Sequence, residues 1–196
     1  MISVFLFALS AAITPGPNNV LLMSAGANFG IRRSLPLLLG VCIGFPAMFL
    51  AIGMGLGVFF QQYPAAHDYI TVIGVVYLIY LAWRIARSGE PERVKNIKPL
   101  TFIQAAAFQW VNPKAWVMAT SAIAAFTTSA GDINQQVINL TLIFITASIP
   151  SALTWLMFGV GLQQLLADPL WLRRFNYLMA GLLILSMVPV ILDFLN

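Results

Sequence analysis

Charge is scarce in this chain, and negative charge most of all. Asp and Glu together number six in 196 residues, and all charged residues make up 8% of the chain. Soluble domains carry roughly 25%, so an ordinary soluble domain is excluded. There is one histidine, His67, and one cysteine, Cys42. A lone histidine outside any apolar stretch gives no metal cluster. A lone cysteine cannot close an internal disulfide and is a poor start for thiol redox chemistry. No Gly-rich phosphate loop ending in Gly-Lys-Ser/Thr occurs, which argues against nucleotide hydrolysis. No acidic residue lies inside an apolar stretch, so a carboxylate proton relay or sodium cage is not expected.

What is abundant is apolar: 60% of residues are hydrophobic, and the mean hydropathy is +0.89. Lys, Arg, Asp and Glu are absent from 1–31, 34–66, 133–167 and 175–192. A shorter uncharged window covers 69–83, and 99–131 carries Lys114 alone. At about 20 residues per crossing, the chain holds about six spans and little else. Breaks at polar and turn residues put them at about 2–27, 36–60, 69–87, 101–126, 137–164 and 175–192. No Lys or Arg precedes the first apolar run, as a signal peptide would require, so that run is expected to be a retained span. The expected fold is all-α and integral to the membrane, a single domain over 1–196.

The positive charge is unevenly placed. Arg32 and Arg33 fall in the first loop. Arg84, Arg87, Arg93, Lys95 and Lys98 fall at or in the third, and Arg173 and Arg174 in the fifth. The second and fourth loops carry none. By the positive-inside rule the odd loops are cytoplasmic and both termini lie outside. The same pattern accounts for the net charge of +4 without nucleic acid, since these residues fix topology and meet anionic lipid. Asp168-Pro169 and the residues after it are expected to form a short interfacial segment.

Two breaks fall at membrane depth. Pro15-Gly16-Pro17-Asn18-Asn19 interrupts the first span, and Asn112-Pro113-Lys114 the fourth. Proline ends or kinks a helix, and freed backbone groups survive in hydrocarbon only beside protein or a watery cavity. A shift of 96 carries Pro17 onto Pro113. A shift of 104 carries Pro46 onto Pro150, Gly55 onto Gly159 and Gly57 onto Gly161, and a shift of 107 carries Gly74 onto Gly181. The order implies two three-span repeats, 1–95 and 96–196. Three is odd, so the second copy is inverted, and its broken span matches that of the first. Paired breaks of this kind point to a transporter's binding site.

Pro17 and Pro113 suit the first turn of a restarting helix. Each restarted helix would aim its positive end at the membrane centre, where a carboxylate binds. The expected substrate-binding residues are Pro15, Gly16, Pro17, Asn18, Asn19, Asn112, Pro113 and Lys114. Lys114 is the one formal charge deep in a span, which favours an interior, functional role. It reads as a counter-charge for a carboxylate or as a proton-exchanging group. The structural alternatives are a lysine bonded to carbonyls opened by Pro113, or one snorkelling outward, and the functional reading is preferred to them. Gln109, Ser148 and the other polar residues of the spans are expected to bond within their own helix or to a neighbour. Trp110, Trp116 and Trp155 are expected to pack. Gly26/Gly30 and Gly40/Gly44 are read as close helix contacts.

Ile13-Thr-Pro-Gly-Pro-Asn-Asn19 followed by Gly-Ile-Arg-Arg, with Val111-Asn-Pro-Lys-Ala115 and Gly40-x-x-x-Gly44, resembles the LysE/RhtB-type amino-acid exporters, and most closely their cysteine/O-acetylserine branch. The resemblance covers essentially the whole chain. It implies secondary export of amino acids across a bacterial inner membrane by proton antiport, with homodimers and without cofactors. The missing acidic residue at depth disfavours a cationic substrate. A neutral amino acid would meet helix ends or Lys114 with its carboxylate, and amide and backbone oxygens with its ammonium. The rival readings are an accessory structural subunit, a passive channel, and an intramembrane enzyme, for which the sequence offers no nucleophile pair or haem ligands.

Overall fold

A computed structural model describes residues 2–88, 98–128 and 131–195. The described residues are helical, with no strand among them. The chain runs through α1 (Ile2–Ile13), α2 (Pro17–Ala51), a π-helical turn (Ile52–Leu56), α3 (Gly57–Gln62) and α4 (Pro64–Ala86). It continues through α5 (Phe102–Gln109), α6 (Pro113–Phe126), α7 (Ile133–Gly161), α8 (Pro169–Leu185) and α9 (Val188–Leu195). Three stretches, Pro17–Phe59, Asp68–Ala86 and Ile133–Gly161, are long and apolar enough to cross a membrane. Arg93 and Lys95 lie outside the described residues, as does the proposed repeat boundary.

Both breaks are present. α1 ends at Ile13 and α2 restarts on Pro17. α5 ends at Gln109 and α6 restarts on Pro113. The first two spans are not joined by a loop. α2 reverses at Gly30, whose φ of 74° and ψ of 178° lie in a region essentially reserved for glycine. Gly30 is thus the turn, and not the packing position that its spacing from Gly26 suggests. Gly26 does pack: a Cβ there would strike the Leu156 carbonyl oxygen, and one on Gly159 would strike that of Met23. The two backbones of α2 and α7 therefore touch. Gly40 and Gly44 admit α5 in the same way, with Ala105 Cβ and Ala106 Cα each 2.6 Å from the atom a side chain would add.

Two expectations are corrected. Pro169 and its neighbours are the first turn of α8, capped by the Asp168 carboxylate accepting from Leu170 N at 2.7 Å, so no separate interfacial segment forms. The last span is also interrupted, at Ser186–Met187. Pro189, second residue of α9, has no N–H to donate to the Leu185 carbonyl, and a proline suits the first turn of a restarting helix.

The apolar interior is split. One cluster holds Val20–Ala25 side chains with Leu37, Val41, Leu81, Phe108, Ala152 and Leu156. The other holds Val4, Ala8, Phe45, Phe49, Ala115, Ala119, Val137 and Phe144. Along four spans the boundary falls at residues 11–19, 41–45, 109–114 and 147–152. That level coincides with both breaks and carries Asn18, Asn19, Gln109, Asn112 and Lys114. Beyond the first cluster the helix ends and turns carrying Gly30, Arg84, Ser88, Lys98 and Gln163 come together. Arg84 Nη2 donates to Lys98 O at 2.6 Å, and Gln163 Nε2 to Ala27 O at 3.4 Å. Asn28 and Asn176 exchange amide bonds of 2.8 and 3.0 Å at that same end.

Candidate functional site

The carbonyls freed at the first break are met by side chains. Ala12 O accepts from Asn19 Nδ2 at 3.0 Å and Ser151 Oγ at 2.9 Å. Ile13 O accepts from Trp155 Nε1 at 3.2 Å. Thr14 O accepts from Asn19 Nδ2 at 2.9 Å and from Lys114 Nζ, which also lies 3.5 Å from Pro15 O. At the second break Trp116 Nε1 donates to Trp110 O at 2.8 Å. Trp116 and Trp155 thus supply donors where hydrocarbon supplies none, a role beyond the packing expected of them.

The two breaks meet. Lys114, second residue of α6, reaches carbonyls just past the end of α1. Asn18, second residue of α2, reaches the end of α5: it exchanges two amide bonds with Gln109, at 2.8 and 3.0 Å. Each restarted helix therefore ties itself to the stump of the other. Lys114 sits on carbonyls opened by the first break, and the alternative of carbonyls opened by Pro113 is not what is seen. Gln109 is fully buried and its pairing crosses 91 residues. Gln109 Nε2 also donates to Ala105 O of its own helix at 3.0 Å, so it bonds both within its helix and to a neighbour; which neighbour was not legible in the sequence. The available signal was its place at the foot of a broken helix.

A cavity of about 50 Å³ lies at this junction. At roughly 10–15 Å³ per water-sized centre, it admits a few heavy atoms. Of the expected site residues, Gly16, Asn18, Asn19, Asn112 and Lys114 line it. Pro15, Pro17 and Pro113 shape the breaks without lining it. Phe45, Met118, Ser148 and Ser151 are among the further wall residues. Gly16 is extended, and a Cβ there would lie 2.6 Å from Lys114 Cδ, so glycine leaves the lysine its path. No side chain caps the N-terminus of α2 or α6.

A sequence model described as "LysE type translocator" matches residues 9–192. The chain belongs to the LysE-type translocator family. Among curated relatives of this LysE-type chain is a cysteine/O-acetylserine efflux protein of Klebsiella pneumoniae, 29% identical over 98% of both chains. Another, of the same description, comes from Escherichia coli strain K12. It is 29% identical over 94% of this chain and 93% of the relative. No solved structure matches. Family membership and the apolar helices together make this a transmembrane transport protein.

Proposed function

We propose that this protein exports small neutral amino acids or close derivatives, of the cysteine and O-acetylserine kind, from the bacterial cytoplasm. The observation that carries the reading is the meeting of the two breaks around one small, mostly apolar cavity holding Lys114 and three asparagines. A zwitterion has a carboxylate for the exposed helix starts and for Lys114. Of the three N–H donors of that ammonium, two face the carbonyls of Thr14 and Pro15, leaving one for a ligand. The walls contributed by Val41, Phe45, Ala115, Met118 and Ala152 suit a short, uncharged side chain. No acidic residue lines the cavity to balance a cationic one.

Six spans form two inverted repeats in this reading, with spans one and four broken at the midplane. The halves rock about the site to open it alternately to each side. Proton antiport drives accumulation outside, the termini lie in the periplasm, and two copies associate. Counterflow in proteoliposomes, with a panel of cysteine, O-acetylserine, serine, threonine, homoserine and lysine, tests the substrate class. Uptake of the neutral members, and none of lysine, is expected. An imposed pH gradient separates antiport from a passive channel, which cannot concentrate substrate. Failure to move any member of the panel returns the chain to the accessory-subunit reading.

A further inference from the structure

A second cavity, of about 40 Å³, lies further along α2. One part of its wall is apolar: Leu21, Ala25, Leu37 and Leu81 line it, and all four are buried. The rest comes from the end of α4 and the residues just before α5, and carries Arg84, Ser88 and Lys98. No acidic residue lines it. Arg84 is fixed there, with Nη2 donating to Lys98 O at 2.6 Å and Cζ 5.8 Å from the centre of the Tyr80 ring. The bond is to the backbone of residue 98, and the Lys98 side chain is exposed.

The two cavities run along the same face of α2. Asn18 lines the first and Leu21, three residues on, the second. Val41 lines the first and Leu37, four residues back, the second. Residues three and four apart share a helix face, so both halves of α2 present one face to both cavities. Three or four residues of helix rise about 4.5–6 Å. At their closest the cavities are therefore one turn apart, and Leu21, Leu37 and Val41, which stand there, are buried. Toward the opposite end the first cavity is backed by a chain of rings. Phe45 lines it, Phe144 lies 5.9 Å from Phe45, and Phe7 lies 6.3 Å from Phe144, between centroids. The thinner barrier is on the side of Arg84 and Lys98.

We propose that the second cavity is an antechamber for the outgoing amino acid. Its carboxylate rests against the charges of Arg84 and Lys98, and its short side chain on the leucines, before those leucines part and admit it to the breaks. This rests on the first cavity being the substrate site and on the odd loops being cytoplasmic. A wall with cations and no acidic partner accepts any short carboxylate, so the identity of the substrate is left to be read at the breaks. The apolar wall is buried among helices, which suits a small solute rather than an acyl chain.

The test uses the full chain and a labelled amino acid that the panel shows to be carried. It is presented to one face at a time, in inside-out and right-side-out membrane vesicles. At the cytoplasmic face Lys98→Gln should raise KM at least about twofold with kcat unchanged, the size expected for one exposed charge contact. Adding Arg84→Gln should raise KM further, and Lys98→Arg should match wild type. Raising the ionic strength from about 0.01 to about 0.1 M shortens the screening length from about 30 to about 10 Å. That change should raise the wild-type KM at this face and leave the KM of the double variant flat. At the periplasmic face every variant should match wild type. Arg84→Gln also disturbs the bond to Lys98 O, whereas Lys98→Gln keeps it, so the single variant separates charge from architecture. The inference is overturned if Lys98→Gln keeps the wild-type KM and salt dependence, or if KM moves equally at both faces. It is also overturned if the variants differ from wild type only in proteoliposomes containing phosphatidylglycerol and not in pure phosphatidylcholine, which would make the cavity a lipid headgroup site. A wild type that carries nothing on the panel sinks the functional reading itself, and this inference with it.

Discussion

The ammonium of Lys114 sits on carbonyls of the first span, so removing it has two separable effects. Hydrogen bonds to a charged group are worth about 1.5–3 kcal/mol. A charge at the centre of the bilayer costs about 2.5–3.5 kcal/mol on insertion scales. These oppose each other, and Thr14 O keeps its bond from Asn19. Lys114→Met should therefore insert normally and unfold within about 2 kcal/mol of wild type. Counterflow should nevertheless fall beyond detection. A purely structural lysine would give the opposite pair of results, a large drop in the unfolding midpoint with near-normal transport by the folded fraction. The prominence of Lys114 is legible in the sequence, because a single charge in a 33-residue window is conspicuous. Its partners are not legible: the lysine lies 100 residues from Thr14, and only the docking of one break on the other brings them together.

At the scale of elements, the breaks were readable because proline lacks an N–H whatever surrounds it. The reversal at Gly30 was not, because a glycine's spacing says nothing about the sign of its φ. The interruption of the last span had a signal in Pro189, outweighed by the unbroken hydrophobicity around it. Two elements yield firm expectations. Gly30→Ala forces a side chain into a glycine-only conformation and should cost about 1–3 kcal/mol. Gly181→Ala, mid-helix with nothing within 4 Å of the added atom, should instead gain about 0.5–1 kcal/mol. Thermal unfolding in one detergent compares the two. The second expectation concerns the tie between α2 and α5. Gln109→Leu alone leaves the Asn18 amide unpaired, and Asn18→Leu alone leaves Gln109 with only its bond to Ala105 O, whereas the double substitution leaves neither amide behind. A double-mutant cycle on unfolding should return a favourable coupling of about 1–3 kcal/mol. A coupling near zero would mean that the two spans are not held together by this pair.

Taken as a whole, the molecule places its seams where the proposed transport needs them. Two apolar clusters close the two ends, and between them lies a level where helices stop, side chains cap carbonyls, and a cavity opens. The described basic residues of the odd loops stand at the end beyond the first cluster, where Arg84 and Lys98 are bonded and Gln163 meets Ala27. At the other end Phe7 meets Phe126 at 5.5 Å between ring centroids, and Asp132 starts α7 by accepting from Asn134 N at 2.9 Å. In the proposed topology, nine basic loop residues against none would turn the first of these ends to the cytoplasm. Cys42 is the sole cysteine, so Cys42→Ala gives a blank background for mapping. On that background, Asp132→Cys should react in intact cells with a membrane-impermeant maleimide, and Arg33→Cys only after the cells are opened. Because the repeats are expected to be inverted, the same orientation sends α6 outward from the midplane and the first part of α2 inward from it. Labelling of Arg33→Cys in intact cells, with Asp132→Cys protected, would reverse the direction of both half-helices. It would place the site's entrance on the wrong side for export.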